Sequence, residues 1–213
     1  MTTNLVLLRH GQTKLNAAGI FQGQLDEPLD DLGLEQANQA AAALAEFSPQ
    51  VLYSSNLKRA HQTAAAVSKV SGLDISLDTR LGEIDCGTWQ GQTYQAVEKQ
   101  HPEIVAALRN GEDFRRSPTG ETEVEVADRV SAALTEILQA NQGKRIVVVS
   151  HGLAIRVGLN KMLGLPSSAA AKILTMQNCH YAAIRKTQEH LQLVAYNFSG
   201  PGIAKALGRF LVL

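Results

Sequence analysis

Leu5-Val6-Leu7-Leu8-Arg9-His10-Gly11 and, far downstream, Ile146-Val147-Val148-Val149-Ser150-His151-Gly152 follow one design. Each is a short, unbroken apolar run that stops at a histidine and a glycine, the pattern of a buried strand opening into a loop. Outward from these two stretches the pattern alternates. Leu34, Ala37, Ala41 and Leu44 recur at helical spacing, with Asp30 or Asp31 as N-cap. Val51 to Tyr53 reads as a short strand. A helix from about Leu57 to Ser71 is closed by Gly72, and Ile75 and Leu77 mark a further strand. Thr93 to Asn110 is helical with a break at Pro102. Ala127, Val130, Leu134, Ile137 and Leu138 form another apolar stripe. After the second histidine-glycine junction a helical segment runs through Leu163, and two late strands fall at Tyr181 to Ile184 and Leu191 to Tyr196. Strands alternating with helices predict a three-layer α/β/α fold, with a mainly parallel central sheet covered by helices on both faces. Ligands bind such sheets where loops leave the carboxyl ends of the strands, so the two junctions are the first places to look for chemistry.

Composition narrows the classes. The 213 residues are 45% hydrophobic and 19% charged, with 20 basic and 20 acidic side chains. A balanced charge gives no global field for nucleic acid or a membrane surface, so anion binding must be local. No linker, repeat or charge block divides residues 1–213, which read as a single domain. Cys86 and Cys179 match no metal or redox spacing and read as free thiols of a cytoplasmic protein. The opening MTTNLVLLRHG has no charged segment before its strand-length apolar run, unlike a signal peptide or a membrane span. No two histidines show helical metal-ligand spacing, which leaves a metal–histidine site as a weaker reading; no cofactor is expected.

The residues at the strand ends suit an anion. Arg9 carries a planar, permanently charged fork that matches phosphate oxygens. His10 can present an unprotonated ring nitrogen as nucleophile if its other nitrogen is held, and Gly11 allows close backbone approach or a positive φ. His151 repeats that arrangement. Arg59 lies at the beginning of a helix that follows a strand, where the helix N-terminus already favours an anion. Glu83 sits in the glycine-dense segment Leu81-Gly82-Glu83-Ile84-Asp85-Cys86-Gly87, where a carboxyl beside a phosphate can act as acid and then base. Asp85 is the nearest rival for that role.

Assembled in order, these segments resemble the histidine phosphatase superfamily, the group that includes cofactor-dependent phosphoglycerate mutases. The resemblance runs from Leu8-Arg9-His10-Gly11-Gln12-Thr13 through Asn16, Gln22-Gly23-Gln24-Leu25-Asp26, Pro28-Leu29, Gly33 and Gln36-Ala37. It continues through the Arg59 helix and the Glu83 loop to Ser150-His151-Gly152. It implies that His10 is the phosphorylated nucleophile and Glu83 the proton donor. Arg9, Arg59 and His151 would form a cationic pocket, with Asn16, Gln22 and Gly23 at the substrate. The departures are Gly82, where many relatives carry arginine, and Asp30, where relatives often have Ser or Thr.

Gly87-Thr88-Trp89-Gln90-Gly91-Gln92-Thr93 looks like the phosphatase branch, whereas mutases resemble one another in a Tyr-Gly-x-Leu stretch and a longer insertion there. The expected activity is metal-independent hydrolysis of a small phosphomonoester through a phosphohistidine at His10. The alternatives are a phosphoglycerate mutase and a non-catalytic phospholigand-binding module. Resemblance to bacterial members suggests sugar-acid phosphates such as glucosyl-3-phosphoglycerate, or the ribazole phosphate of cobalamin assembly. Residues 93–122 are expected to cross the pocket mouth, where Arg115 and Arg116 would meet a second anionic group or remain solvated. The apolar end, Gly202 to Leu213, is left to pack on the body, cover the pocket or join two copies in a homodimer.

Overall fold

The computed structural model describes residues 1–110 and 112–208. In chain order the elements are β1 (Thr3–Arg9), α1 (Lys14–Ala17), α2 (Asp31–Ala45), β2 (Val51–Ser54), α3 (Lys58–Ser71) and β3 (Ile75–Leu77). They continue with α4 (Tyr94–Gln100), α5 (Pro102–Arg109), α6 (Glu123–Ala140), β4 (Arg145–Ser150), α7 (Gly152–Met162) and α8 (Ser167–Ala170). β5 (Tyr181–Lys186), β6 (Leu191–Phe198) and α9 (Ile203–Gly208) complete the described chain. The sheet order is β3-β2-β4-β1-β5-β6. The first three pairings are parallel, whereas β5 runs antiparallel to both β1 and β6, so the sheet is mixed, with a parallel half.

Why the two apolar runs do not alternate with polar residues is visible in the two cores. Leu5, Leu7, Ile146 and Val148 face α6 and α7, together with Leu134, Ile137 and Ile155. Val6, Leu8, Val147 and Val149 face α2 and α3, with Ala37, Leu44, Ala60 and Val67. A strand covered on both sides needs apolar side chains on both sides. Each such Leu, Ile or Val contributes roughly 1.5–3 kcal/mol of burial.

The helix ends follow local chemistry. Asp30, rather than Asp31, caps α2 by accepting from Gly33 N at 2.8 Å. Gly72 ends α3 in the left-handed region, at φ 73°. Thr122 and Glu125 form a reciprocal capping box on α6, and Pro102 separates α4 from α5. Leu34 departs from its expected stripe and is 43% exposed. It stands in the first turn of α2, level with the loop after β1, where Gly33 packs on Gly11. At the other end of the chain, Ile203 and Leu207 of α9 are buried in the α2/α3 core. Residues 209–213, the rest of the apolar tail, lie outside the described residues. Among the described residues no helix is long and apolar enough to cross a membrane.

Candidate active site

β1 and β4 are neighbours in parallel register, with Arg9 opposite Ser150. The two histidine-glycine junctions are therefore side by side, and His10 N donates to Ser150 O at 3.1 Å. The His10 and His151 rings lie 5.1 Å apart between centroids, tilted by 59°. Over this sheet end opens a cavity of about 270 Å³, whose wall includes Arg9, His10, Asn16, Gln22, Gly23, Arg59, Glu83 and Arg116.

The His10 ring is held by its neighbour's main chain. Its Nδ1 lies 2.7 Å from Gly11 O. A carbonyl only accepts, so Nδ1 carries the hydrogen and Nε2 keeps its lone pair. Burial, then the charges of Arg59 and Arg9, push the imidazole well below its usual value of 6.5, against a small opposing effect of the Gly11 contact. Glycine at position 11 meets a close approach, not a positive φ. A Cβ there would lie 3.0 Å from Gly33 C and Cα and closer still to the Gly33 carbonyl oxygen.

Arg59, in the first turn of α3, is 1% exposed. Its two terminal nitrogens donate to Leu25 O at 2.7 Å and Gly23 O at 2.8 Å, which presents the rest of the guanidinium to the cavity. Arg9 is anchored on Met176 O. The Nε atoms of both arginines are buried without an acceptor. Burial lowers both guanidinium pKa values from the usual one, with Glu83 opposing it.

Glu83 is positioned by main chain. Its Oε1 accepts from Ile84 N at 3.0 Å and Ala154 N at 3.1 Å, and Oε2 accepts from Leu153 N at 3.3 Å. The last two belong to the first turn of α7, whose N–H groups have no partner within the helix. Asp85 is turned elsewhere, its Oδ1 accepting from Gly87 N at 2.7 Å, and it is absent from the cavity wall.

The sequence matches a family model described as the histidine phosphatase superfamily (branch 1) over residues 5–199. The chain belongs to this superfamily. A glucosyl-3-phosphoglycerate phosphatase of Mycolicibacterium vanbaalenii is 43% identical over 170 residues, which are 76% of this chain and 75% of that protein. A probable phosphoglycerate mutase GpmB of Salmonella choleraesuis is 36% identical over 178 residues, 84% of this chain and 82% of its own. Among solved structures, a mycobacterial glucosyl-3-phosphoglycerate phosphatase with VO3 superposes with a TM-score of 0.85 at 32% identity, covering 92% of this chain and 99% of that one. Family membership and these phosphatase relatives make the chain a phosphoric monoester hydrolase of the histidine phosphatase type.

The histidine phosphatase chain departs from simple motif reading in two places. His151 is 0% exposed and stands behind His10, off the cavity wall; its Nε2 lies 2.8 Å from Ser55 Oγ and its Nδ1 has no partner. Burial, followed by the charges of Arg59 and His10, lowers its pKa well below 6.5. The paired arginines also part company. Arg115 points outward to Glu125 at 2.5 Å and Gly120 O at 2.6 Å, whereas Arg116 is buried on the cavity wall and pairs with Glu123 at 2.7 Å.

Three further charged groups escape a motif search. Glu123 also pairs with Arg156 at 3.0 Å, and both line the cavity. Arg129 underpins the Glu83 loop: it donates to the carbonyls of Arg80 at 2.8 Å, Gly82 at 2.7 Å and Glu83 at 2.9 Å, and grips both oxygens of Glu121 at 2.9 Å. Arg156 and Arg129 sit on the amphipathic helices α7 and α6, where charged residues ordinarily read as a solvated face. Only the spacing Glu121 to Arg129 hints at a pair, two turns apart.

Proposed function

We propose that this phosphatase hydrolyses a small phosphomonoester of the sugar-acid class, such as glucosyl-3-phosphoglycerate, through a phosphohistidine at His10. The observation that carries the reading is the held tautomer of His10, with a free Nε2 facing a cavity walled by two guanidinium groups. In the first step the Nε2 lone pair forms the N–P bond as the P–O bond to the leaving group breaks, and the Glu83 carboxyl protonates the departing oxygen. Glu83 then takes a proton from water, whose oxygen attacks phosphorus, and the N–P bonding pair returns to Nε2. Arg9 and Arg59 neutralise charge on the phosphoryl oxygens, the preorganised stabilisation on which phosphoryl transfer depends. Asn16, Gln22 and Gly23 border the phosphate, and His151 fixes the His10 ring from behind.

The proposed ligand is a small phosphorylated metabolite rather than nucleic acid or membrane. We treat residues 1–213 as one domain in which Tyr94 and Arg116 bring the 93–122 segment to the cavity mouth. The similarity to a probable mutase favours one second reading, phosphate transfer within a phosphoglycerate, which requires stimulation by a bisphosphoglycerate primer. The test is phosphate release from a panel of phosphomonoesters in chelator, with wild type and His10→Ala in parallel. Hydrolysis by wild type alone, with a trapped phosphohistidine, is expected. Comparable release by both proteins would remove His10 from the mechanism.

A further inference from the structure

Beside the site cavity, between α6, α7 and α8, lies a second cavity of about 410 Å³. The two share Glu123 and Arg156 as a common wall. That wall is an ion-pair bridge of side chains, in which one Glu123 oxygen accepts from both Arg116 and Arg156. Its members Glu123 and Arg156 keep 19% and 15% exposure, so the partition is not sealed by backbone. At about 270 Å³ the site cavity falls near the bottom of the range for ligand pockets, roughly 300–1,000 Å³, which suits a phosphorylated three-carbon acid. A bulkier ester needs space beyond it.

The chemistry of the second cavity differs from that of the first. Its cations are compensated locally: Lys161 is paired with Asp128 and Arg156 with Glu123, while both oxygens of Asp113 accept from α6, at 2.8 Å from Glu123 N and 3.0 Å from Val124 N. Among the described residues it therefore offers no uncompensated cation to a second anion. What it does offer is an exposed carboxylate acceptor, Glu112, above an apolar floor of Val124, Ala127 and Val157. Asn160, on the same wall, is 3% exposed; its amide nitrogen donates to Leu165 O at 3.4 Å and Pro166 O at 3.0 Å, while its Oδ1 has no donor. Hydroxyl groups on a ring with an apolar face match such a lining.

We propose that this second cavity is a subsite for an uncharged, hydroxyl-bearing group, such as a glycosyl ring, attached to the phosphorylated acid whose phosphate lies at His10. The proposal rests on the phosphatase reading and assigns the place of the substrate's distal half. The phosphate and acid stay on the Arg9, Arg59 and Arg116 side of the bridge, and the neutral group lies beyond Arg156 and Glu123.

Its test compares glucosyl-3-phosphoglycerate with 3-phosphoglycerate in wild type, Ala171→Trp and Ser167→Trp. Both positions are exposed members of the cavity wall, so an indole fills the cavity without entering the core. The expected result is a loss of at least about tenfold in kcat/KM for the glucosylated ester, with the plain ester held within about twofold. Equal losses on both esters overturn the subsite, as does an unchanged rate on the glucosylated one in both variants, or a wild type that hydrolyses only the plain ester. A wild type that hydrolyses neither ester, and matches His10→Ala, instead fails the phosphatase reading itself.

Discussion

The two histidine-glycine junctions are alike in sequence and unlike in what they can do. Each ends a central parallel strand, and their strands pair directly. After β1 the chain enters a loop, and His10 borders the cavity with Nδ1 on its neighbour's carbonyl. After β4 the chain enters a helix at once, His151 is its N-cap residue, and its ring is sealed between His10 and Ser55. The glycines differ as well. Gly11 is required by backbone, the Gly33 carbonyl, whereas a Cβ at Gly152 would first meet a side-chain methyl, Thr175 Cγ2 at 2.8 Å, and then Arg9 Nε at 3.3 Å. The element after the strand, loop or helix, decides which histidine borders the cavity; the motif at the strand end does not.

The largest expected contrast is between the histidines themselves. His10→Ala should reduce kcat by about 10,000-fold or more, as loss of a nucleophile does. His151→Ala should cost about 100- to 1,000-fold, through misplacement of His10 and its surroundings. Single-turnover trapping of the phosphorylated protein separates them: the label should vanish in the first variant and persist in the second. Equal loss of label would abolish the distinction between the two rings.

Next come the glycines. Gly11→Ala should destabilise the fold by about 2–3 kcal/mol in urea unfolding, since backbone cannot yield to the new methyl. Gly152→Ala should cost about 1 kcal/mol or less, because Thr175 can move and alanine favours the helix, yet it should lower kcat by crowding Arg9. The reverse order of stabilities would show that the Gly11–Gly33 approach is not rigid.

The last contrast is in pH dependence. Both imidazoles have folded-state values well below 6.5, the value they regain on unfolding. Above that pH both states are neutral and neither histidine contributes. As pH falls below 6.5 the unfolded chain takes up protons that the folded one refuses, so stability is lost, by at most about 1.4 kcal/mol per pH unit for each histidine. Replacing either by glutamine should flatten the slope of unfolding free energy between pH 6.5 and 5. An unchanged slope in both variants would place the acid sensitivity in the carboxylates instead. For the same reason the acid limb of kcat/KM should lie below pH 6.5.

Much of the molecule was legible in advance because burial leaves a period in the sequence. The apolar runs at Leu5–Leu8 and Ile146–Val149, the α6 stripe and the Gly72 stop all follow from elementary packing and backbone sterics. The short helices α1, α8 and α9 left no comparable trace, since four to six residues carry too little period to read. Leu34 misled because a helical stripe says which face is apolar, not where along the helix the sheet ends. Among the charged residues, Glu83 and Asp85 are two apart in one loop, and only the amides of α7 choose between them. Arg115 and Arg116 are adjacent, and only their partners, Glu125 for the first and Glu123 for the second, tell which turns outward and which inward.

By itself the sequence determined the layered architecture, the two strand-end junctions and the set of cations and carboxylates available for phosphate chemistry. These are properties of local composition and spacing, which a chain carries unfolded. The tertiary structure alone decided that His151 backs His10 without touching the cavity, that Arg129 supports the Glu83 loop and that Glu123 and Arg156 divide two cavities. Each of those is a contact between residues distant along the chain, and it exists only once the sheet and the packing of α6 against α7 set their separation.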